Sequence, residues 1–197
     1  MQERRRHQRV RFAHSPSILV GFAGISAEGA IENISSSGLM LRTTLALEIG
    51  RQAGCEFSLF GSPLIDVVVT VVSRVGDIYG VRFQSGPINQ VTIDDAVANA
   101  LARGDASVLG VHEIDGRKVL RISGGLNGGL RNDFMHALTR VGVDEIDVEE
   151  VTAVDQAGLA LCVVATGRHQ VNLVKQSACF AVAWKQVVNG PLGVLDE

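Results

Sequence analysis

Hydrophobic spacing changes along this chain, and the changes limit the folds open to it. From Ser17 to Ser85 the apolar residues come in short runs of Val, Ile, Leu and Phe, cut at regular intervals by Gly, Ser and Pro. The runs predict six strands: Ile18 to Ile25, Gly29 to Ile34, Gly38 to Leu45, Gln52 to Phe60, Leu64 to Arg74 and Tyr79 to Gln84. Strands this short expose their edges unless the sheet closes on itself, so the expected form is an all-β, six-stranded antiparallel barrel. After Pro87 the period becomes helical. Ile93, Val97 and Leu101 recur every four residues, with Thr92 and Asp95 as a capping pair and Gly104 as a stop.

From Asp105 the period alternates. Ser107 to Ile114 and Val119 to Ser123 read as strands joined at Asp115-Gly116, a hairpin pair. Leu130, Phe134, Leu138 and Val141 form a helical stripe, Asp144 to Val148 a strand, Gln156 to Thr166 a helix closed by Gly167, and Gln170 to Val174 a strand. Phe180, Trp184 and Val187 give a last helical stripe. Strands alternating with helices indicate an α/β sandwich, a sheet with one face under helices. Two domains are expected, 1–104 and 105–197.

With 46% hydrophobic residues in 197, the chain can bury a large core, and a formal net charge of −3 argues against a protein that wraps nucleic acid through its overall charge. Leu64 to Val72 and Ala157 to Ala165 are the longest apolar stretches, about half of the roughly 20 residues a bilayer span needs. No membrane span is expected. The N-terminus has no apolar segment behind its arginines, so a cytoplasmic location is expected. Cys55, Cys162 and Cys179 have no paired spacing and read as core thiols, with no disulfide or metal site.

Charge is concentrated at one end. Residues 1–104 balance at +1 and residues 105–197 at −4, yet Arg4, Arg5, Arg6, Arg9 and Arg11 are packed into the first eleven positions. Guanidinium is always charged, and its planar fork meets phosphate, or the O6 and N7 edge of guanine, through two parallel hydrogen bonds. On charge patterning alone this reads as a solvated tail or a loose nucleic-acid contact. A second element, Asn33-Ile34-Ser35-Ser36-Ser37-Gly38, lies between two predicted strands. There Asn and Ser can fold a loop onto itself and Gly can supply positive φ.

Together, Arg5-Arg6-His7-Gln8-Arg9 followed 24 residues after Arg9 by Asn33-x-Ser35-x-x-Gly38 resembles the PilZ family of cyclic di-GMP receptors. The family's signatures are RxxxR, often RRxxR, and D/NxSxxG. Gly80-Val81-Arg82-Phe83 also resembles its closing strand, and the resemblance spans about residues 1–104. It implies that a mobile arm bearing Arg5, Arg6 and Arg9 folds over the barrel rim. Arg5 and Arg9 would hold phosphate and guanine edge, Arg6 would stack or close over the ring, and Asn33 and Ser35 would meet a guanine's N–H groups beside Gly38. His7 reads as an exposed spacer. Arg11 and Arg42 stand outside the motif and outside the core site.

Ile146-Asp147-Val148 through Val151 to Leu159, with Asp155-Gln156-Ala157-Gly158-Leu159 at its centre, resembles the central motif of STAS domains, the fold of anti-sigma-factor antagonists. Where those commonly carry a phosphorylated serine this chain has Gln156, which has no hydroxyl; Asp155 and Gln156 read as a helix cap. Gly124-Gly125-Leu126-Asn127-Gly128-Gly129 satisfies neither GK[ST] nor GxGxxG and reads as a flexible turn. The five histidines are dispersed, and no serine sits in a GxSxG elbow. Asp144, Glu145, Asp147, Glu149 and Glu150 read as one solvated strand face.

The sequence therefore leads to a non-enzymatic receptor. The resemblance implies cyclic di-GMP as its ligand, no cofactor or metal is expected, and ordering of the arm is expected to be coupled to an unidentified protein partner through the arm or the STAS-like domain. The alternative is a STAS-like interaction module on a PilZ scaffold that does not bind. Nucleic-acid binding by the arginine arm ranks third.

Overall fold

The computed structural model describes residues 9–84 and 86–188. The chain divides into two compact units, residues 1–100 and 101–197, with the division inside a helix and four residues before the boundary expected from sequence.

In the first unit seven strands precede the helix: β1 (Val10–Phe12), β2 (Ser17–Phe22), β3 (Ile25–Ser35), β4 (Gly38–Thr43), β5 (Gln52–Phe57), β6 (Ile65–Val75) and β7 (Ile78–Phe83). β2 pairs with β3, β3 with β4, β4 with β7, β7 with β6, β6 with β5 and β5 with β2, all antiparallel. The circuit closes, so these six strands form a barrel without a free edge. Its interior is filled by alternate residues, among them Val20, Ile31, Leu41, Cys55, Val69 and Tyr79, none more than 1% exposed.

Several strand limits shift by one to four residues from expectation, and two differences change the pairing. The predicted strand Ile18 to Ile25 is broken by a two-residue turn at Ala23-Gly24, both at positive φ (52° and 80°), the conformation that joins tightly twisted hairpin strands. Here Ala23 adopts a left-handed conformation that its residue type does not signal. The other difference is β1, which lies within the arginine arm. It pairs with the part of β3 beyond Ala30, where β2 has ended.

Helix α1 (Pro87–Arg103) starts at a proline, whose missing N–H costs nothing there, so Thr92 and Asp95 lie inside the helix and are not its cap. Ile93, Ala96 and Ala100 are its most buried residues, and Val97 is only half-buried. Asn89 Nδ2 donates to the Asp66 carbonyl at 2.9 Å, tying the helix start to β6. Gly104, at φ 79°, ends the helix as expected.

The second unit contains β8 (Ala106–Ile114), β9 (Arg117–Leu126), α2 (Arg131–His136), β10 (Glu145–Val154), α3 (Gln156–His169), β11 (Asn172–Gln176) and α4 (Ala178–Val188). β8 and β9 form an antiparallel hairpin across Asp115-Gly116, both at positive φ as the dipeptide predicts. β9, β10 and β11 run parallel, joined by helical crossovers. One sheet face, carrying Leu120, Ile122, Ile146 and Val148, packs against Phe134, Leu161, Cys162 and Phe180 of the helices. The opposite face is polar. Arg121 pairs with Asp147 at 3.3 Å and Lys175 with Glu149 at 2.9 Å. Asp147 is 6% exposed, so the acidic run is not wholly solvated: its carboxylate also accepts from the Glu149 N–H.

Several local expectations change. β10 extends through Val154 instead of stopping at Val148, and Gly124, Gly125 and Leu126 belong to β9 rather than a flexible turn. The glycines are there because a Cβ on Gly124 or Gly125 would overlap a backbone carbonyl, that of Ala106 or Gly104. The Leu130–Val141 stripe is one short α-helix between a 3-10 turn and a π turn. Helix α3 passes Gly167 and closes at Gln170, at φ 55°.

Cys55 and Cys162 are core thiols, whereas Cys179 is exposed. Burial pushes both core thiols up to about 12, from an ordinary value near 9. Each therefore stays protonated in the native state while the unfolded state loses its proton, and stability falls as pH rises above about 9. Iodoacetamide at pH 8 should label Cys179 alone in the native protein and all three cysteines in denaturant, as read by peptide mass spectrometry. Native labelling of Cys55 or Cys162 at a similar rate would contradict their burial.

Candidate functional site

β3 carries the Asn-x-Ser element, and the pleat decides which way each side chain faces. Ile34 is fully buried and stands opposite Val10 of β1 and Leu39 of β4, both of which are also buried. Asn33 and Ser35, on either side of it in sequence, belong to the other face, the outside of the barrel. On that face Asn33 pairs across to Arg11 on β1 and to Met40 on β4, and Ser35 pairs across to Gly38.

Arg9 directly precedes β1, one residue before the Val10–Ile34 pair. Arg9 is exposed, and it has a partner within the protein. The arm therefore is not loose along its whole length: its last residues are fixed to the edge of β3. Arg5, Arg6 and His7 lie outside the described residues. Asn33, Ser35 and Gly38 are brought together by β3 and β4, and Arg9 stands next to β1 in sequence.

The ledge has its own hydrogen bonding. The Ser35 hydroxyl donates to the Gly38 carbonyl at 3.1 Å and lies 3.3 Å from the Ser37 hydroxyl, which braces the two-residue hairpin. Asn33 is only 4% exposed, and its amide donates to the Met40 sulfur at 3.2 Å. A thioether is a weak acceptor, so this bond is readily exchanged for a stronger one. Gly38 is not at positive φ, contrary to the turn reading of the loop. Its role is close approach: a Cβ there would overlap the carbonyl oxygen of Val81 on β7.

Arg42 is taken up by carboxylates. Its Nε donates to Glu32 at 2.9 Å and its Nη1 to Asp77 at 2.8 Å. Hydrogen bonding to Asp77 and then to Glu32 raises the guanidinium's pKa, and the same contact holds Asp77 below the usual carboxylate range. This supports leaving Arg42 outside the core site. Among the described residues there is no group of three or more His, Cys, Asp or Glu able to hold a metal, and no helix long and apolar enough to cross a membrane.

Strand β1, which carries Arg11, is paired beside the Asn33-x-Ser35-x-x-Gly38 hairpin on a closed barrel. Residues 3–99 match the PilZ domain family model. That PilZ domain is just under half of the chain and contains β1 through β7 and most of α1. Among solved structures the chain is similar to the PilZ domain of YcgR from Escherichia coli with c-di-GMP, at 14% identity and TM-score 0.44, over 49% of this chain and 91% of that one. It is similar to the K. pneumonia MrkH–c-di-GMP complex at 17% identity and TM-score 0.45, over 50% of this chain and 52% of that one. A third, the PilZ domain of CeSA from a cellulose synthesizing bacterium, is 12% identical with TM-score 0.39, over 46% and 95%. No curated protein matches the chain.

Two features of the PilZ domain were missed from sequence. Met40 as the partner of Asn33 depends on a bulge between Ile31 and Asn33, which shifts the pairing by one residue. Arg82, quoted only as part of the closing strand, lies directly across from Gly38. The strand alternation around Val81 and Phe83 signalled its outward face, but its neighbour depends on cross-strand register, which residue pattern alone does not reveal.

Proposed function

We propose that the outer face of the PilZ domain, at Arg9, Asn33, Ser35 and Gly38 with Arg5 and Arg6 of the arm, binds cyclic di-GMP. The observation that carries this reading is the β1–β3 register, which pairs Val10 with Ile34 and Arg11 with Asn33 and so lays the end of the arginine arm beside the Asn33–Gly38 hairpin. Cyclic di-GMP carries two phosphates and two guanines, so its receptor needs forked cations for the anionic ring and base edges, and a carbonyl or hydroxyl for the guanine N–H groups. Arginines and an amide–hydroxyl pair on adjacent strands meet both needs. The YcgR PilZ domain and MrkH are each solved with c-di-GMP, which supports the choice.

The second unit is proposed as a STAS-like protein-interaction domain. Supporting this are a mixed sheet in the order β8-β9-β10-β11 and the passage from β10 into α3, where the Asp155 carboxylate accepts from the Gly158 N–H at 2.7 Å. With Gln156 at the first helical position there is no hydroxyl to phosphorylate, so the signal reaching a partner is proposed to come from ligand bound at the PilZ domain. Such coupling requires the ligand to bind two conformations unequally, typically by 1 to 3 kcal/mol.

Competition separates this reading from loose polyanion binding. Labelled cyclic di-GMP bound to the intact chain should be displaced by unlabelled cyclic di-GMP, and not by GMP or a DNA oligomer at equal concentration. Displacement by the DNA oligomer, with steep loss of binding as salt rises, would assign the site to nucleic acid instead.

A further inference from the structure

The outer face does not end at Gly38. Gly38 pairs with Arg82 on β7, and Arg82 with Thr70 on β6, so Ser35, Gly38, Arg82 and Thr70 form one row across four strands. Arg82 is exposed between buried Val81 and Phe83, which fixes it on the outside. At about 4.8 Å per strand, Ser35 and Arg82 stand roughly 10 Å apart, with Gly38, which is buried and has no side chain, between them.

The other guanidiniums on these strands are engaged. Arg42 is paired with Glu32 and Asp77, and Arg74 donates to the Gly76 carbonyl and lies over the Tyr79 ring. Arg82 has no hydrogen bond or ion pair among the described residues, and its row neighbours Gly38 and Thr70 are uncharged; the Thr70 hydroxyl accepts from Gln84. A cation without a counter-charge, facing a floor with no side chain, is placed to meet an anion from outside.

We propose that Arg82 is a further ligand-binding residue, supplying the cation for a phosphodiester group on the far side of the Gly38 floor from Ser35. The proposal rests on the reading of this face as a cyclic di-GMP site. On it, the ligand lies across the Gly38 strip, with Arg9 on the β1 side of Ser35 and Arg82 on the β7 side. The ring's anionic charge is then met from both directions.

The test is calorimetric titration of cyclic di-GMP into intact wild type, Arg82→Gln, Arg82→Lys and Ser35→Ala, at two salt concentrations. Among the described residues the Arg82 side chain makes no bond that its replacement would break, and equal thermal midpoints confirm the fold. Arg82→Gln should bind about tenfold more weakly, with a shallower salt dependence, while Arg82→Lys keeps the charge and stays within about threefold of wild type. Binding by Arg82→Gln within twofold of wild type overturns the proposal, as does Arg82→Lys binding as weakly as Arg82→Gln. If Ser35→Ala loses binding and Arg82→Gln does not, only the Arg82 assignment fails. If wild type does not bind, the parent reading fails and takes this one with it.

Discussion

Gly38→Ala should destabilise the barrel by about 2–3 kcal/mol, although it adds a single methyl group at a strand position where alanine is ordinarily tolerated. The reason is backbone proximity. The added Cβ would overlap the Val81 carbonyl and press on the Arg82 Cα, and neither is the free end of a flexible side chain. Relief requires β4 and β7 to separate at Gly38–Arg82, one end of the β4–β7 ladder that helps close the barrel. For a unit of about this size the midpoint of thermal unfolding should fall by about 10–20 °C. Gly54→Ala is the control: it lies in β5 with nothing within 4 Å of its Cβ position, and should leave the midpoint unchanged or slightly raised. Equal melting of the two variants would show that the Gly38 approach is not a constraint. Gly38→Ala should also weaken ligand binding, because the same residue forms the floor between Ser35 and Arg82.

Phe134→Ala should cost the second unit about 3–5 kcal/mol. Phe134 is fully buried on α2 and packs in one cluster with Leu120 and Ile122 of β9, Ile146 of β10 and Phe180 of α4. α2 has only six residues, too few to persist without tertiary contacts, so removing its anchor should also loosen the flanking 3-10 and π turns. Urea unfolding of the intact chain should show the loss, with increased amide exchange over 128–141. Val182→Ala on α4, where Val182 is 63% exposed, should change stability by no more than about 0.5 kcal/mol. A Phe134→Ala variant as stable as Val182→Ala would contradict the core described for this unit.

Features of the fold that depend on local chemistry were legible in the sequence. Asp115-Gly116 specified its hairpin, Gly104 its helix end, and the β-rich runs the six strands of the barrel, because each needs only the residues at hand. Features that depend on distant partners were not. β1 has three residues, too few for its alternation to announce a strand; it exists because the β2–β3 pairing stops at Ala30 and leaves the edge of β3 open. Gly124 and Gly38 read as turn glycines, yet both sit in strands and are required by carbonyls of other segments. Gly167 looked like a helix stop, but α3 runs on to a left-handed Gln170, a conformation its side chain does not advertise.

The candidate site divides the same way. The motif singled out Asn33, Ser35 and Gly38, and the pleat sets Asn33 and Ser35 on one face, with Arg11 across from Asn33. What the motif did not reveal was the resting state of that face. Asn33 is covered and bonded to Met40, while Arg42 is neutralised by two carboxylates. Both depend on cross-strand register, which a bulge near Glu32 shifts by one residue.

The most direct test of the central claim is calorimetric titration of cyclic di-GMP into the intact wild-type chain and into Arg9→Ala. The account predicts a saturable isotherm for wild type with a dissociation constant in the micromolar range, about −8 kcal/mol, and binding at least about tenfold weaker for Arg9→Ala at an unchanged thermal midpoint. A flat wild-type isotherm at ligand concentrations of about 100 μM, or an Arg9→Ala isotherm indistinguishable from wild type, would contradict it.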